Sequence, residues 1–153
     1  MAYNLVTPSK SLLAPQTFLK QFEFANDHER QYVRHIAKLA LDDRVRIHLL
    51  TDDSNRPIAF VALSFEKIGG NPCLVINYLF CSKPYRKLSI KELRDKRISL
   101  HLIARAIQLV QEISHNVPLH YLALQPADEK LERYYAEIGF VRLHHMEWMF
   151  LKI

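Results

Sequence analysis

Seven basic side chains lie within fifteen residues of this sequence, between a long apolar run and a stretch with helical apolar spacing. They are Lys83, Arg86, Lys87, Lys91, Arg94, Lys96 and Arg97. The first N–H groups of a helix lack intrahelical partners, and the helix dipole places partial positive charge there. A basic loop that leads into a helix therefore favours a bound phosphate or pyrophosphate. The alternative is a solvated basic loop without a ligand.

Two adjacent tyrosines, Tyr134 and Tyr135, lie in a helix-like stretch between Asp128 and Gly139. Asp128 is a typical helix N-cap, and Gly139 suits a left-handed C-terminal cap. A phenol in such a place is either a half-buried packing residue whose hydroxyl reaches water or a proton donor. The residues alone leave both interpretations open.

The segment from Leu122 to Phe140 resembles the C-terminal half of the GNAT family, the acyl-CoA-dependent N-acetyltransferases, and the likeness extends over roughly Ile58 to Ile153. The positions that keep the family spacing are Leu122, Leu124, Asp128, Leu131, Tyr134, Tyr135, Gly139 and Phe140. Asp128 stands in place of the usual Asn and Leu131 in place of the usual Ala. The resemblance implies that Tyr135 is the general acid that protonates the leaving thiolate, and that Asp128 belongs to the cofactor site.

The family binds the cofactor pyrophosphate through Arg/Gln-x-x-Gly-x-Gly/Ala, and the best match here runs from Arg94 to Ser99. The resemblance thus implies cofactor contacts by Arg94, Asp95, Lys96, Arg97, Ile98 and Ser99. Arg97 replaces the first motif glycine, so its side chain either crowds the backbone approach to phosphate or adds an Arg–phosphate pair. A second register, Tyr85-Arg86-Lys87, resembles the family's Tyr-Arg-Gly but would leave a long gap before the helix. The first register is preferred, with 83–93 as a lengthened loop.

The apolar run from Cys73 to Cys81 suits a central strand covered on both faces. In the family, the end of this strand separates from the next parallel strand, and its backbone bonds the pantetheine arm. By position, the resemblance implies that role for Leu79, Phe80 and Cys81. The competing interpretation is that these three are ordinary core residues.

No general base is evident in the sequence, although the attacking amine must be neutral. The central strand offers Asn77 and Tyr78 but no carboxylate. Other candidates without positional support are Glu66, His120, His144 and His145. Adjacent strand residues point to opposite faces, so the two neighbouring histidines do not suggest a metal site, and no Cys/His spacing matches zinc.

Apolar periodicity predicts the elements that must position these residues. Helices are expected from Pro15 to Leu19, after a cap at Asn26 or Asp27, from about Ile98 to Ser114, and from Asp128 to Ile138. Strands are expected at Arg46–Leu50, Ile58–Phe65, Cys73–Cys81, Leu119–Leu124, Phe140–Leu143 and Trp148–Ile153. This order predicts an α/β protein with an antiparallel front and a βαβ unit. With the resemblance, the expectation is one GNAT-like domain over 1–153, a central mixed β-sheet flanked by helices.

Composition sets broad bounds. The chain has 153 residues, 49% of them hydrophobic, and a formal charge of +5. No apolar run approaches the roughly 18 residues of a membrane span, and the start lacks the features of a secretory signal. Cys73 and Cys81 lie too far apart along one strand to bridge, which predicts free thiols and a cytoplasmic protein.

The leading functional hypothesis is direct transfer of an acetyl group from acetyl-CoA to a primary amine, with Tyr135 as general acid and no metal. Small amines, antibiotics and protein N-termini are favoured as acceptors over aminoacyl-tRNA, which related toxins acetylate and to which Phe22-Glu-Phe24 and the basic loop loosely point. The resemblance also implies that the terminal strand from Trp148 to Ile153 could pair across a homodimer, as such strands often do in this family. The rivals are a non-catalytic acyl-CoA-binding or interaction module on the same scaffold and a plain RNA-binding protein.

Overall fold

The computed structural model describes residues 3–86, 89–90, 96–143 and 147–153, which form strands and helices in alternation. The strands are β1 (Asn4–Val6), β2 (Arg46–Thr51), β3 (Pro57–Ile68), β4 (Asn71–Cys81), β5 (Ser89–Ile90), β6 (Lys96–Arg97), β7 (Tyr121–Leu124), β8 (Val141–Arg142) and β9 (Met149–Lys152). The α-helices are α1 (Lys10–Leu13), α2 (Pro15–Leu19), α3 (Asp27–Leu41), α4 (Ile98–Ser114) and α5 (Glu129–Ile138). A short 3₁₀ helix covers Lys83–Tyr85.

The main sheet has seven strands in the order β1-β2-β3-β4-β7-β9-β8. β4 and β7 are parallel, while the pairs β1–β2, β2–β3, β7–β9 and β8–β9 are antiparallel. The parallel pair is connected through α4, as expected of a βαβ unit. The predicted mixed α/β sheet is therefore confirmed. β5 and β6 form a separate two-stranded hairpin.

The chain groups into two compact units, and the prediction of a single domain over 1–153 stays a prediction. The first unit comprises Met1–Leu63 and Tyr78–Ala104, and the second comprises Ser64–Asn77 and Arg105–Ile153. Both predicted free cysteines are free, Cys73 in the second unit and Cys81 in the first. Over the described ranges, no helix is long and apolar enough to cross a membrane.

In the first unit, helices α1 to α3 cover a core that they share with β2, β3 and β4. The apolar stripe of α3 is buried at Val33, Ile36, Ala37 and Ala40. Aromatic rings fill the centre of this core: Phe18, Phe22, Phe60 and Phe80 contact one another at centroid distances of 5.2 to 5.7 Å. These edge-on and tilted contacts add to the stabilisation from burying apolar area. The core fixes the C-terminal end of β4 through Phe80.

In the second unit, β7 lies between β4 and β9. One cluster of buried residues in this unit consists of Ile68, Cys73, Val75, Ala123 and Phe150. α5 begins at its N-cap Asp128 and ends at Gly139, as the sequence predicts. The backbone then returns to the core, because Phe140 is buried directly after the glycine.

Several elements of the fold were not predicted from the sequence, α1 (Lys10–Leu13) among them. β1 was not expected, because its three residues carry no clear alternation; it is recruited by pairing with β2 through Leu5 and Leu50. The interval 83–93, predicted as a lengthened loop, contains the 3₁₀ helix and β5, and β5 pairs with β6 through Ser89 and Arg97. The residues of the 3₁₀ helix and of β5 and β6 show no apolar periodicity, so the sequence did not predict these elements.

Candidate active site

The C-terminal end of β4 extends beyond its pairing with β7. The parallel ladder runs from Cys73↔Tyr121 to Ile76↔Leu124, whereas β4 itself continues to Cys81. Strand β7 ends at Leu124, so its ladder supplies no pairing partner for the β4 backbone beyond Ile76. This is the arrangement that an added strand-like ligand can use.

A pocket of about 260 Å³ in the first unit joins this strand end to the start of α4. Its lining residues are Glu29, Tyr78, Leu79, Phe80, Cys81, Tyr85, Arg86, Arg97, Ile98 and Ser99. It thus brings together six of the residues predicted from sequence for the cofactor: Leu79, Phe80, Cys81, Arg97, Ile98 and Ser99. The N-terminus of the 17-residue helix α4, where its dipole is positive, lies at the same pocket.

The rest of the predicted phosphate loop is described only in part. Arg94 and Asp95 lie outside the described residues, and for Lys96 only the backbone in β6 is described. Arg97 is exposed at the pocket, immediately before α4 begins at Ile98.

Both sequence registers proposed for the phosphate loop contribute to one pocket. Tyr85 and Arg86 come from the register that was not preferred, and Arg97 and Ser99 come from the preferred one. The 3₁₀ helix after β4 returns the first pair to the strand end, because the N–H of Tyr85 bonds the carbonyl oxygen of Ser82 at 2.9 Å. From the sequence alone, one register had to be chosen over the other. In the folded chain, residues of both registers line the same pocket.

Sequence reasoning missed Glu29 at this pocket. Glu29 forms an ion pair with Arg86, and the same carboxylate oxygen accepts the N–H of Ala25 at 3.0 Å. Its own N–H donates to Oδ1 of Asn26 at 2.8 Å, which completes a reciprocal helix cap. The available signal was the spacing Asn26-x-x-Glu29, which indicates a capping box but not a pocket.

Burial controls the titration of two pocket side chains. It raises the pKa of Tyr78 to about 12, an effect that the nearby Glu29 charge reinforces and Arg86 opposes. It also raises the pKa of the Cys81 thiol to about 11, against the lowering effect of Arg86. Both groups are therefore neutral at physiological pH, and Cys81 is a poor nucleophile there.

Tyr135 lies in the last turn of α5, in the second unit. It is 8% exposed, and its ring contacts those of Tyr134 and Phe140 at centroid distances of 5.6 and 6.0 Å. Burial raises the pKa of Tyr135 to about 12, and the charges of Tyr134 and Asp128 add to the shift. Asp128 caps the same helix, accepting the N–H of Leu131 at 2.8 Å. Tyr135 is therefore a protonated, oriented phenol across the neutral pH range.

The sequence candidates for a general base gain no support. Glu66 and His120 are exposed, and His144 and His145 lie outside the described residues. Asn77 donates from Nδ2 to Oγ of Ser64 at 2.7 Å, which makes it a hydrogen-bonding residue of the sheet. Within the described part of the chain, no group of three His, Cys, Asp or Glu side chains could hold a metal ion.

A wider groove of about 750 Å³ also lies in the first unit, lined by residues that include Phe24, Arg30 and Lys83. Its lining contains neither the Leu79–Cys81 backbone nor the start of α4. The smaller pocket is the better candidate site, because it combines the strand end beyond the β4–β7 ladder with a helix N-terminus.

The sequence matches no protein-family model and no curated protein. Solved structures resemble the chain over almost its whole length. AtaTR bound with AcCoA covers 98% of this chain and 92% of that one, at 14% identity and a TM-score of 0.78. The KacTA–DNA complex covers 99% of this chain and 93% of that one, at 15% identity and a TM-score of 0.79.

A third similar structure is AtaT complexed with acetyl-methionyl-tRNAfMet, which covers 99% of this chain and 95% of that one, at 13% identity and a TM-score of 0.74. At such identities the likeness shows the fold. The chain has the GNAT fold that the resemblance in its sequence implied.

Proposed function

We propose that this protein is an N-acetyltransferase that moves an acetyl group from acetyl-CoA to a primary amine by direct transfer. One observation carries the proposal: the end of β4 beyond its ladder with β7 and the N-terminus of α4 lie at one pocket, together with the cations Arg86 and Arg97. A strand edge suits the amide groups of a pantetheine arm, and a helix N-terminus with arginines suits a pyrophosphate. The chemical groups at this pocket are therefore of the types that would bind the pantetheine arm and the pyrophosphate of acetyl-CoA. The GNAT fold of the chain supports the same assignment.

In the proposed mechanism, Leu79, Phe80 and Cys81 bind the pantetheine arm through their backbone groups. A backbone amide of β4 polarises the thioester carbonyl, and the positive end of α4 holds the phosphates. The neutral amine attacks the carbonyl carbon, its nitrogen gives up one proton to water, the C–S bond breaks, and the thiolate leaves; water returns to Tyr135 the proton that the phenol gives to the thiolate. Catalysis comes mainly from positioning the amine against the thioester.

Tyr135 is the proton donor to the leaving thiolate in this proposal. A phenol with a pKa of about 12 keeps its proton before the reaction. It first stabilises the developing thiolate as a hydrogen-bond donor and transfers the proton as the charge on sulfur grows. Asp128 contributes by capping α5 and thereby fixing the helix that carries Tyr135.

The acceptor has two candidate classes. Small amines and protein N-termini fit a minimal acetyltransferase domain. The α-amine of an aminoacyl-tRNA is favoured by a specific observation, since AtaT, a protein of the same fold, is known in complex with acetyl-methionyl-tRNAfMet. The basic side chains between Lys83 and Arg97 would suit RNA as well as cofactor phosphate. Acetyl transfer to a small-amine panel and to charged tRNA, measured side by side, separates the two.

Calorimetry with acetyl-CoA tests the proposal first, with Arg97→Ala as the site variant and Arg105→Ala, a cation in the second unit, as the matched control. We expect micromolar binding that Arg97→Ala weakens about tenfold and that Arg105→Ala leaves unchanged. A wild-type protein that binds no acetyl-CoA at millimolar concentration would contradict the enzyme assignment and leave an interaction module.

A further inference from the structure

Arg86 is held at three points beside the candidate cofactor pocket. Its guanidinium pairs with the Glu29 carboxylate, and its Nε donates to the carbonyl oxygen of Cys81 at 2.9 Å. The guanidinium also lies 5.6 Å from the ring centroid of Phe80. One ionic, one hydrogen-bonding and one cation–π contact therefore fix the position of this cation at the end of β4.

Glu29 is itself immobilised by the start of α3. Its carboxylate accepts the N–H of Ala25, and its backbone N–H donates to the side chain of Asn26. The side chains of Glu29 and Arg86 are 19% and 32% exposed, so water screens the pair less than it screens a surface ion pair. Glu29 thus connects the rigid first turn of α3 to the cation in the pocket.

The guanidinium carries five N–H donors, and its two hydrogen bonds to residues within the described ranges use Nε and Nη2, which leaves Nη1 unused by that part of the chain. A fixed guanidinium fork matches the geometry of phosphate oxygens. Arg97 lines the same pocket, so two cations stand where an anionic group of a ligand would lie.

We propose that Arg86 is a phosphate-binding residue of the acetyl-CoA site and that Glu29 is its positioning residue. Because Glu29 holds the guanidinium in place, the cation meets a cofactor phosphate with little further loss of side-chain entropy. This inference rests on the proposed function.

A double-mutant cycle on ligand affinity tests the positioning role. The variants are Glu29→Gln, Arg86→Gln and the two combined, each titrated with acetyl-CoA and with S-acetylpantetheine, which lacks the phosphates. Glutamine keeps a capping-box oxygen for Ala25 and removes only the charge. Any direct repulsion between Glu29 and phosphate cancels in the cycle, so the coupling reports on how Glu29 affects Arg86.

We expect Arg86→Gln to weaken acetyl-CoA binding about tenfold in the wild-type background and about threefold or less in the Glu29→Gln background. Binding of S-acetylpantetheine should stay within about twofold in every variant. Arg142→Gln, which breaks an ion pair with Glu132 in the second unit, is the charge-matched control and should change neither affinity. If Arg86→Gln does not fold, Arg86→Lys replaces it, since it keeps the charge and loses the fork.

Three results would overturn the inference. Equal weakening of both ligands would make the pair structural, and an unchanged acetyl-CoA affinity would remove Arg86 from the site. A larger effect of Arg86→Gln in the Glu29→Gln background would mean that Glu29 competes with phosphate rather than positions the cation. If the wild-type protein binds no acetyl-CoA, both the proposed function and this inference fail. In the three results above, by contrast, the wild-type protein binds acetyl-CoA and only the inference about Arg86 and Glu29 fails.

Discussion

The backbone carbonyl oxygen of Tyr135 accepts the N–H of Gly139 at 3.2 Å. This bond closes the last turn of α5, so the proposed acid lies one turn before the residue that ends its helix. Gly139 has φ of 125°, a conformation that side chains rarely adopt. The end of the helix that carries Tyr135 therefore depends on a glycine at this position.

Gly139→Ala should destabilise the protein by about 2 kcal/mol. Alanine is strained at this φ, and its Cβ would lie 3.3 Å from Cδ1 of Leu151. Gly70→Ala is the matched control, since Gly70 also has positive φ but its Cβ would meet nothing within 4 Å. Urea denaturation should show a loss of only about 1 kcal/mol there. Equal losses would mean that contact with Leu151 contributes nothing.

Tyr135→Phe should lower kcat about tenfold to a thousandfold while acetyl-CoA affinity stays within about twofold. The substitution removes only the proton donor and keeps the ring contacts with Tyr134 and Phe140. Steady-state kinetics and calorimetry on the same preparation measure both quantities. Tyr134→Phe, one residue away, is the control and should leave kcat nearly unchanged. An equal loss in the two variants would argue against a specific acid role for Tyr135.

Asp128→Ala should cost about 1 kcal/mol of unfolding free energy, whereas Asp128→Asn should cost little. Alanine removes the oxygen that accepts the N–H of Leu131, and asparagine retains one. Asparagine also removes a charge that raises the pKa of Tyr135. Thermal denaturation of both variants checks the capping role. A large loss in Asp128→Asn would show that the charge, rather than the cap, stabilises α5.

Stability should fall as pH rises from 10 to 12. The folded protein holds the Tyr135 proton up to a pKa of about 12, while the unfolded chain loses it near 10. The contribution is therefore complete below pH 10 and is lost through that window, at about 1.4 kcal/mol per pH unit for Tyr135. Urea denaturation of wild type and Tyr135→Phe between pH 9 and 11 checks this. The variant should show the shallower decline; parallel curves would contradict a raised pKa.

Cys81 should react slowly with iodoacetamide at pH 8. With its pKa raised to about 11, about one thiol in a thousand is ionised, roughly a hundredfold fewer than for a thiol of pKa 9. Because Cys81 lines the candidate pocket, saturating acetyl-CoA should slow alkylation further. Mass spectrometry on a Cys73→Ser variant isolates the site. Fast labelling that acetyl-CoA does not slow would place Cys81 outside the cofactor site.

Much of the fold followed from local patterns. The bounds of α4 match the predicted Ile98–Ser114, and the caps at Asn26, Asp128 and Gly139 lie where the sequence places them. Such signals act over three or four residues, so a single sequence contains them. β1 could not be predicted this way, because it exists only through pairing with β2, more than forty positions along the chain.

The same distinction between local signals and long-range contacts applies to the candidate site. The sequence by itself determined which helix carries Tyr135, which strand end and helix start supply Leu79 to Cys81 and Arg97 to Ser99, and that cations gather between them. Only the tertiary structure decided that Glu29 lies beside Arg86, and that Tyr85 and Arg97 share one pocket. The physical reason is range: capping and periodicity are local, whereas an ion pair between residues 57 positions apart forms only when packing of the core brings α3 to the end of β4.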